Sequence, residues 1–267
     1  MTIITISRGS ATGGRLLAEG LAKTLGLHIV SREEIIQCAA QFGVPESKLD
    51  KALLDPPTFS EDVKQDRRRY LIFIQDALCE WARKDNVIYH GNAGHLLLRG
   101  ISHLFRIRLI APLEFRVQKI VERTNMTDEQ AVSYIEKIDA QRRAWNLLLY
   151  GVDWLNPSLY DLTINLENMN VDAAVEIAAA GVKRREFAAT ARSRKDMNDL
   201  ALSTRIKATL AADSVTAPLE LEVHADSVSG LVSLGGRIQS EKLVGVVLEI
   251  ARKVPGVTSV ATEQLSA

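Results

Sequence analysis

The sequence predicts an α/β protein: a three-layer α/β/α domain with a mostly parallel sheet, followed by a small α+β unit. Three observations support this prediction. Short apolar runs alternate with helical patterns up to residue 182, a basic stretch poor in apolar side chains covers residues 183–195, and shorter alternating strands follow residue 196. The 267 residues are enough for one large domain or two smaller ones.

The elements of the first domain follow from the spacing of its apolar residues. Strands are predicted over residues 2–7, 87–90, 104–111 and 162–166. Helices are predicted over residues 15–25, 32–42, 61–84 and 171–180, with a break in the chain at residues 55–57. Gly26 is predicted to close the first of these helices. Pro112 and Thr127 are each predicted to begin a further helix.

The second unit has a different order of elements. Helices are predicted over residues 200–210 and 241–253, and strands over residues 219–225, 230–234 and 257–261. The order is α-β-β-α-β. The predicted boundaries are residues 1–182 for the first domain, 183–196 for a basic helical linker and 197–267 for the second unit. For the basic stretch, a solvated linker helix is favoured over contact with RNA or a membrane surface.

Composition narrows the classes of function. The formal net charge is zero, so the sequence predicts no specific nucleic-acid partner. No apolar run approaches about 18 residues, so no transmembrane segment is predicted. The first residues lack the basic and apolar regions of a secretory signal, and we therefore expect a cytoplasmic protein. Cys38 and Cys79 are too far apart to indicate a zinc site, so no metal-binding residue is assigned.

A glycine-rich turn between the first strand and the first helix is the most informative local pattern. Gly9 and Gly14 have the spacing of a phosphate-binding loop, although Arg15 and Leu16 replace its usual lysine and hydroxyl residue. Backbone N–H groups and the positive end of the helix can hold an anion there. A plain strand-to-helix connection is the alternative interpretation. The predicted phosphate-contacting residues are Arg8, Gly9, Ser10, Ala11, Thr12, Gly13, Gly14, Arg15 and Leu16.

Basic side chains on two later helices can supply the positive charge that phosphoryl transfer requires. Arg116, Lys119 and Arg123 lie at helical spacing, and Arg142 with Arg143 follows on the next helix. On a mobile lid, such arginines can neutralise the migrating group and exclude water on closure. For any one of these arginines taken alone, a solvated basic face is the competing interpretation.

Short motifs spread over the first domain point in the same direction. They comprise Ile6-Ser7-Arg8, Ala11-Thr12-Gly13-Gly14-Arg15, Ala111-Pro112-Leu113-Glu114-Phe115-Arg116, Lys137-Ile138-Asp139-x-x-Arg142 and a Tyr150-Gly151-x-Asp153-Trp154 segment that continues to Leu162. Together they resemble the cytidylate-kinase-like family of P-loop kinases. The resemblance implies an ATP site with Mg²⁺ at the loop, a nucleoside-monophosphate acceptor site and a lid that carries Arg142 and Arg143. In that family an arginine at the position of Arg15 is typical.

The sequence departs from the family pattern at several positions. Ala11 and Thr12 replace glycine and serine, and Ser31 stands where an acidic residue is common. The usual Gly-Arg pair after the third strand is here Gly91-Asn92. Because Leu16 has no hydroxyl, Mg²⁺ would need other ligands. The candidates are Asp161, Glu33, or water and phosphate oxygens alone.

The second unit resembles the BON domain, a small α/β module. The matching residues are Gly230-Leu231-Val232 with Leu234 and Gly236, then Val254-Pro255-Gly256-Val257 and Val260. The resemblance implies a lipid or protein partner for this unit. It contains no candidate catalytic cluster.

The leading functional hypothesis is an ATP-dependent kinase that acts on a nucleoside monophosphate such as CMP, with an appended binding module. Its predicted catalytic residues are Arg15, Arg116, Arg142 and Arg143. Its predicted substrate-binding residues are Glu33, Gly91, Asn92 and Arg123. A non-catalytic nucleotide sensor coupled to the second unit is the alternative, motivated by Leu16 and the altered acceptor positions. A third hypothesis makes the first domain a structural carrier for the second unit.

Overall fold

The computed structural model describes residues 2–54, 61–238 and 240–266. The described residues form two compact units. The first unit comprises residues 2–32 and 85–189, and the second comprises residues 33–54, 61–84 and 190–266. The predicted break at residues 55–57 lies outside the described residues.

Strands and helices are numbered here in chain order. The strands are β1 (Ile3–Arg8), β2 (His28–Val30), β3 (Val87–Tyr89), β4 (Leu104–Ile110), β5 (Leu162–Asn165), β6 (Leu221–Ala225), β7 (Leu231–Arg237) and β8 (Ser259–Ser266). The helices are α1 (Gly14–Leu25), α2 (Arg32–Ala39), α3 (Glu46–Leu54), α4 (Glu61–Ala82), α5 (Gly94–Leu97), α6 (Leu113–Val121), α7 (Asp128–Tyr150), α8 (Val171–Val182), α9 (Ala191–Ala212) and α10 (Glu241–Arg252).

The first unit contains a five-stranded parallel sheet in the order β2-β3-β1-β4-β5. Alternate residues of β1 enter one face of this sheet, where Ile4 pairs with Ile88 and Phe105. Helices α1 and α8 contribute to the same apolar cluster, through residues such as Leu17 and Ala178. Because the sheet is parallel, the carboxyl ends of its strands share one edge, and the loop between β1 and α1 lies at that edge.

The second unit contains a three-stranded sheet in the order β6-β7-β8. Strand β6 pairs antiparallel with β7, and β7 pairs parallel with β8. Val232 and Leu234 of β7 are fully buried beside Ile206 of α9 and Val247 of α10. The order α9-β6-β7-α10-β8 is the α-β-β-α-β order that the sequence predicts, and the predicted α/β fold class is confirmed in both units.

Helices α4 and α9 pack together within the second unit. Asp76 of α4 is completely buried, and Arg205 of α9 donates a hydrogen bond of 2.9 Å from Nε to its Oδ1. Burial raises the pKa of the Asp76 carboxyl, and the hydrogen bond from Arg205 opposes that rise. Phe42 stacks on Phe73 with ring centroids 4.7 Å apart and also lies beneath the Arg205 guanidinium. Helix α4 and Phe42 thus supply packing surface to α9.

This grouping differs from the division into successive domains that the sequence predicts. Residues 33–54 and 61–84 belong to the same compact unit as residues 190–266. Helix α8 ends at Val182, and α9 begins at Ala191 after a capping box formed by Thr190 and Ser193. Residues 191–196 of the predicted linker therefore form the first turns of α9, the helix that also includes residues 200–210. The domain boundaries of 182 and 196 stay a prediction.

Most predicted elements lie within a few residues of the observed ones. The capping role of Thr127 is confirmed, since its side chain accepts the N–H of Gln130 in a full capping box. The elements that the sequence pattern missed are β2, α3 and α5. Strand β2 has three residues and α5 has four, which is too short for a periodic signal. Across the described residues, no helix has the length and apolar character needed to cross a bilayer.

The Asp76–Arg205 pair gives a prediction about stability. Replacing Arg205 with methionine leaves the buried carboxylate without its partner, so we expect a loss of about 3 kcal/mol in the free energy of unfolding. Removing Arg205 raises the pKa of Asp76 further. The folded state then disfavours the ionised form, and the loss should be full at neutral pH and should shrink as pH falls towards about 4. Urea unfolding at a series of pH values measures both effects.

The matched control is Arg68→Met, which removes an exposed arginine of α4 that pairs with Glu220. An exposed ion pair contributes little, so this change should cost less than about 1 kcal/mol at any pH. Equal losses from the two variants, or a loss for Arg205→Met that does not depend on pH, would contradict the assignment.

Candidate functional site

The glycine-rich loop connects β1 to α1 at the carboxyl edge of the sheet. Two of its residues adopt the left-handed conformation, Ala11 with φ of 56° and Gly13 with φ of 86°. The Thr12 hydroxyl donates a hydrogen bond of 3.2 Å to the carbonyl oxygen of Gly9, which closes the turn. A Cβ on Gly14 would lie 2.9 Å from Cγ of Arg8, so glycine allows the Arg8 side chain to pass close to the helix start.

An open pocket of about 700 Å³ surrounds this loop. Every residue that the sequence predicts to contact phosphate contributes to its wall. The wall also includes side chains from the end of β3 and from the four helices α1, α6, α7 and α8. The lining residues are Arg8, Gly9, Ser10, Ala11, Thr12, Gly13, Gly14, Arg15, Leu16, Glu19, His90, Phe115, Lys119, Arg123, Arg142 and Val171.

The arginines Arg8, Arg116 and Arg142 lie at the loop, and the last two approach a single carboxylate, that of Asp139. Arg116 donates a hydrogen bond of 2.7 Å from Nε to the carbonyl oxygen of Ser10, and its other nitrogen contacts Asp139. Arg142 donates to the carbonyl oxygen of Arg8 at 3.2 Å and lies 4.0 Å from Asp139. The Asp139 carboxylate also accepts the backbone N–H of Ser10 at 3.0 Å. Helices α6 and α7 therefore place two arginines directly on the loop backbone.

The charges in this cluster do not balance. Burial lowers the pKa of the Arg8 guanidinium below its usual value. Burial, and then repulsion from Arg8, lowers the pKa of Arg142 to about 10. Both groups still carry their protons at neutral pH, so three positive groups (with Arg116) face one negative group. A site of this kind attracts an anion with several oxygen atoms, such as a phosphate chain.

Two of the predicted catalytic arginines have other partners. The Arg15 side chain is 81% exposed and donates a hydrogen bond of 2.7 Å to Glu19, one helical turn further on. The Arg143 side chain is 57% exposed and donates a hydrogen bond of 2.6 Å to Asp153. Arg15 still lines the pocket, whereas Arg143 is absent from its described wall.

The predicted substrate-binding residues are spread over different positions. Asn92 accepts a hydrogen bond of 3.2 Å from Arg8, and Arg123 lines the pocket. A Cβ on Gly91 would lie 2.0 Å from the Tyr89 ring, so glycine is required there for packing. Glu33 lies in the first turn of α2 and belongs to the second compact unit.

The residues at the loop do not form a magnesium cage. Leu16 supplies no oxygen, and the Thr12 hydroxyl already binds the Gly9 carbonyl. Both carboxylate oxygens of Asp161 accept hydrogen bonds from the Arg106 side chain, at 2.9 and 2.6 Å. Within the described part of the chain, no group of three His, Cys, Asp or Glu side chains is placed to hold a metal.

Several contributors to the site were not predicted from the sequence. Asp139 was recognised only as part of a motif, although it lies one helical turn before Arg142, a spacing that places both on one helix face. Phe115 and Val171 line the pocket from the first turns of α6 and α8. Their apolar side chains give no signal of a ligand in a single sequence, since such residues usually belong to the core.

Known proteins resemble this chain over most of the same region. A model of the cytidylate kinase-like family matches residues 3–168. The cytidylate kinase of Ignicoccus hospitalis is 28% identical over 177 residues, which cover 66% of this chain and 96% of that protein. The cytidylate kinase of Pyrococcus horikoshii is 26% identical over 195 residues, which cover 73% of this chain and 95% of the relative.

The fold is also found in solved structures. The crystal structure of an uncharacterized protein from Eubacterium ventriosum has a TM-score of 0.53 and 17% sequence identity. The match covers 69% of this chain and 100% of that chain. At this identity the likeness concerns the fold alone.

The conformation of the loop gives a prediction that can be tested at the two glycines that cap α1. Gly13 begins the helix with φ of 86°, and Gly26 ends it with φ of 66°. A Cβ would meet nothing closer than 3.6 Å at Gly13 and nothing within 4 Å at Gly26. Alanine at either position should cost about 1 kcal/mol of stability through backbone strain alone. Thermal unfolding of both variants measures this cost.

Only Gly13→Ala should also weaken binding of inorganic pyrophosphate, because only Gly13 belongs to the proposed anion-binding loop. Isothermal titration calorimetry compares the two variants, and Gly26→Ala controls for the strain. Unchanged pyrophosphate affinity in Gly13→Ala would show that the loop conformation does not matter for anion binding.

Proposed function

Because the chain belongs to the cytidylate kinase-like family, we propose that it transfers the terminal phosphoryl group of ATP to a nucleoside monophosphate, with CMP as the first acceptor to test. One observation carries most of the proposal. Arg8, Arg116 and Arg142 lie at a glycine-rich loop at the carboxyl edge of a parallel sheet, and Asp139 is the carboxylate that Arg116 and Arg142 approach.

In the proposed reaction, the loop N–H groups and the positive end of α1 bind the ATP phosphates. An oxygen of the acceptor phosphate forms a bond to the γ-phosphorus while the bond from that phosphorus to the β–γ bridging oxygen breaks. The electron pair leaves with ADP, and the acceptor becomes a nucleoside diphosphate. Arg116 and Arg142 neutralise the charge that spreads over the transferred oxygens. Mg²⁺, when bound on the phosphates, adds to this neutralisation.

For the acceptor we propose the side of the pocket that includes Arg123. Asn92 holds Arg8 in place, which supports a role for Asn92 at the boundary between donor and acceptor. For Glu33 and Gly91 we keep the predicted acceptor roles as proposals. The packing of Gly91 against Tyr89 also explains the glycine at this position without a substrate.

A non-catalytic nucleotide sensor is the second candidate. The observation that favours it is the hydrogen bond from Arg15 to Glu19, which gives the residue at the P-loop lysine position a partner other than phosphate. In this case the ligand would bind without turnover and its occupancy would be read by the BON-like unit, whose lipid or protein partner stays a prediction.

The deciding experiment is a screen of nucleoside monophosphates with ATP and Mg²⁺, with diphosphate products separated and quantified. Formation of CDP, or of another nucleoside diphosphate, supports the kinase. ATP binding in calorimetry with no product from any acceptor supports the sensor. Absence of ATP binding by the folded protein contradicts both.

If the chain is a kinase, Arg142→Met should lower kcat by about 100-fold or more, because the variant loses a fixed charge at the migrating group. The control is Lys137→Met, an exposed residue of the same helix α7, which should stay within about twofold. Steady-state assays at saturating ATP make the comparison. Similar activity in the two variants would remove Arg142 from the proposed machinery.

Arg15 gives a separate prediction, because its observed partner is Glu19 and its proposed partner is phosphate. We expect Arg15→Ala to lower kcat by about 100-fold and Arg15→Lys to restore part of it. Lys23→Ala, in the last turn of α1, is the control for loss of a positive charge on this helix. If Arg15→Ala retains activity within about twofold of wild type, Arg15 stays on Glu19 during turnover and is not catalytic.

A further inference from the structure

The Asp139 carboxylate occupies a position inside the glycine-rich loop. Its Oδ1 accepts the backbone N–H of Ser10 at 3.0 Å, and its Oδ2 contacts the Arg116 guanidinium. A Cβ on Gly9 would lie 3.1 Å from Oδ2, so the carboxylate lies against the loop backbone. Arg142 is 4.0 Å away on the same helix as Asp139.

These contacts use the kinds of donor that bind phosphate groups. Backbone N–H groups and guanidinium groups are the donors that bind phosphate oxygens, and a carboxylate offers two oxygens in a similar arrangement. Without a negative group at this point, Arg8, Arg116 and Arg142 would repel one another in a partly buried site. Asp139 therefore stabilises the cluster, and the Ser10 N–H and Arg116 that contact it are donors suited to a phosphate ligand.

We propose that the Asp139 carboxylate occupies the phosphate position of the loop in the nucleotide-free protein, and that an incoming phosphate group displaces it. The proposal deepens the proposed function, since it rests on the same anion site. On displacement, Arg116 and the Ser10 N–H exchange a carboxylate for phosphate oxygens. The apparent affinity for phosphate is then lowered by the fraction of molecules in which Asp139 is in place.

Calorimetry with inorganic pyrophosphate as the probe tests this proposal on the full-length chain. Asp139→Asn keeps the size of the side chain and removes its charge, so the position is vacated more easily. We expect pyrophosphate to bind about tenfold more tightly to this variant than to the wild type. Unchanged or weaker binding would overturn the proposal.

A control separates displacement from a simple gain of positive charge. Glu136→Gln removes a carboxylate from an exposed position of α7, the helix that carries Asp139. It should change the pyrophosphate affinity by less than about threefold. If Glu136→Gln matches the gain of Asp139→Asn, the effect is general electrostatics and the proposal fails.

A second measurement does not depend on how the variants fold. In a crystal structure of the wild-type protein with pyrophosphate at the loop, the Ser10 N–H and Arg116 should contact phosphate oxygens, and Asp139 should have left both. If Asp139 keeps both contacts beside the bound anion, the proposal is overturned.

The outcomes also separate this inference from the proposed function. If the protein lacks kinase activity but Asp139→Asn binds pyrophosphate more tightly, the displacement is supported and the kinase assignment is contradicted. If the protein phosphorylates CMP but Asp139→Asn gains no pyrophosphate affinity, the kinase assignment is supported and the displacement is contradicted.

Discussion

Guanidinium groups cannot give up their protons at physiological pH, so a protein that gathers them in a partly buried site must supply negative partners. At the loop between β1 and α1, the partners are two backbone carbonyl groups, one amide oxygen and one carboxylate. These partners come from three segments of the chain, since both carbonyl groups belong to residues 8–10, the amide oxygen to Asn92 and the carboxylate to Asp139. The arrangement of the loop, the end of β3 and the helices α6 and α7 therefore depends on accommodating this charge.

The sheet order explains how these segments meet. Strand β1 lies between β3 and β4, so the turns that follow all three strands emerge side by side at the carboxyl edge. Arg8 ends β1, Asn92 follows β3, and the helix that carries Arg116 follows β4. A parallel sheet thus converts residues separated by more than 80 positions into neighbours, as the Arg8–Asn92 hydrogen bond illustrates.

The sequence predicted the features that depend on residues close together in the chain. The loop, the Thr127 cap and the main strands were identified because apolar spacing and capping chemistry are local. The arginines Arg116 and Arg142 were identified through their charge and helical position. The Asp139 contact with Ser10 joins residues 129 positions apart, and no local pattern indicates such a partner. The Arg15–Glu19 pair was accessible in principle, since the two residues are four apart on one helix.

The second unit is built from two separate stretches of the chain, and this has a consequence for its folding during synthesis. Helices α2 to α4 leave the ribosome early, but α9, with which α4 packs, lies more than a hundred residues further along the chain. At ordinary rates of synthesis the delay is on the order of ten seconds. During that interval Asp76 has no Arg205 to pair with, and the apolar side of α4 lacks one of its packing partners. The nascent chain therefore exposes part of this apolar side at a stage when β1 and the glycine-rich loop have already been translated.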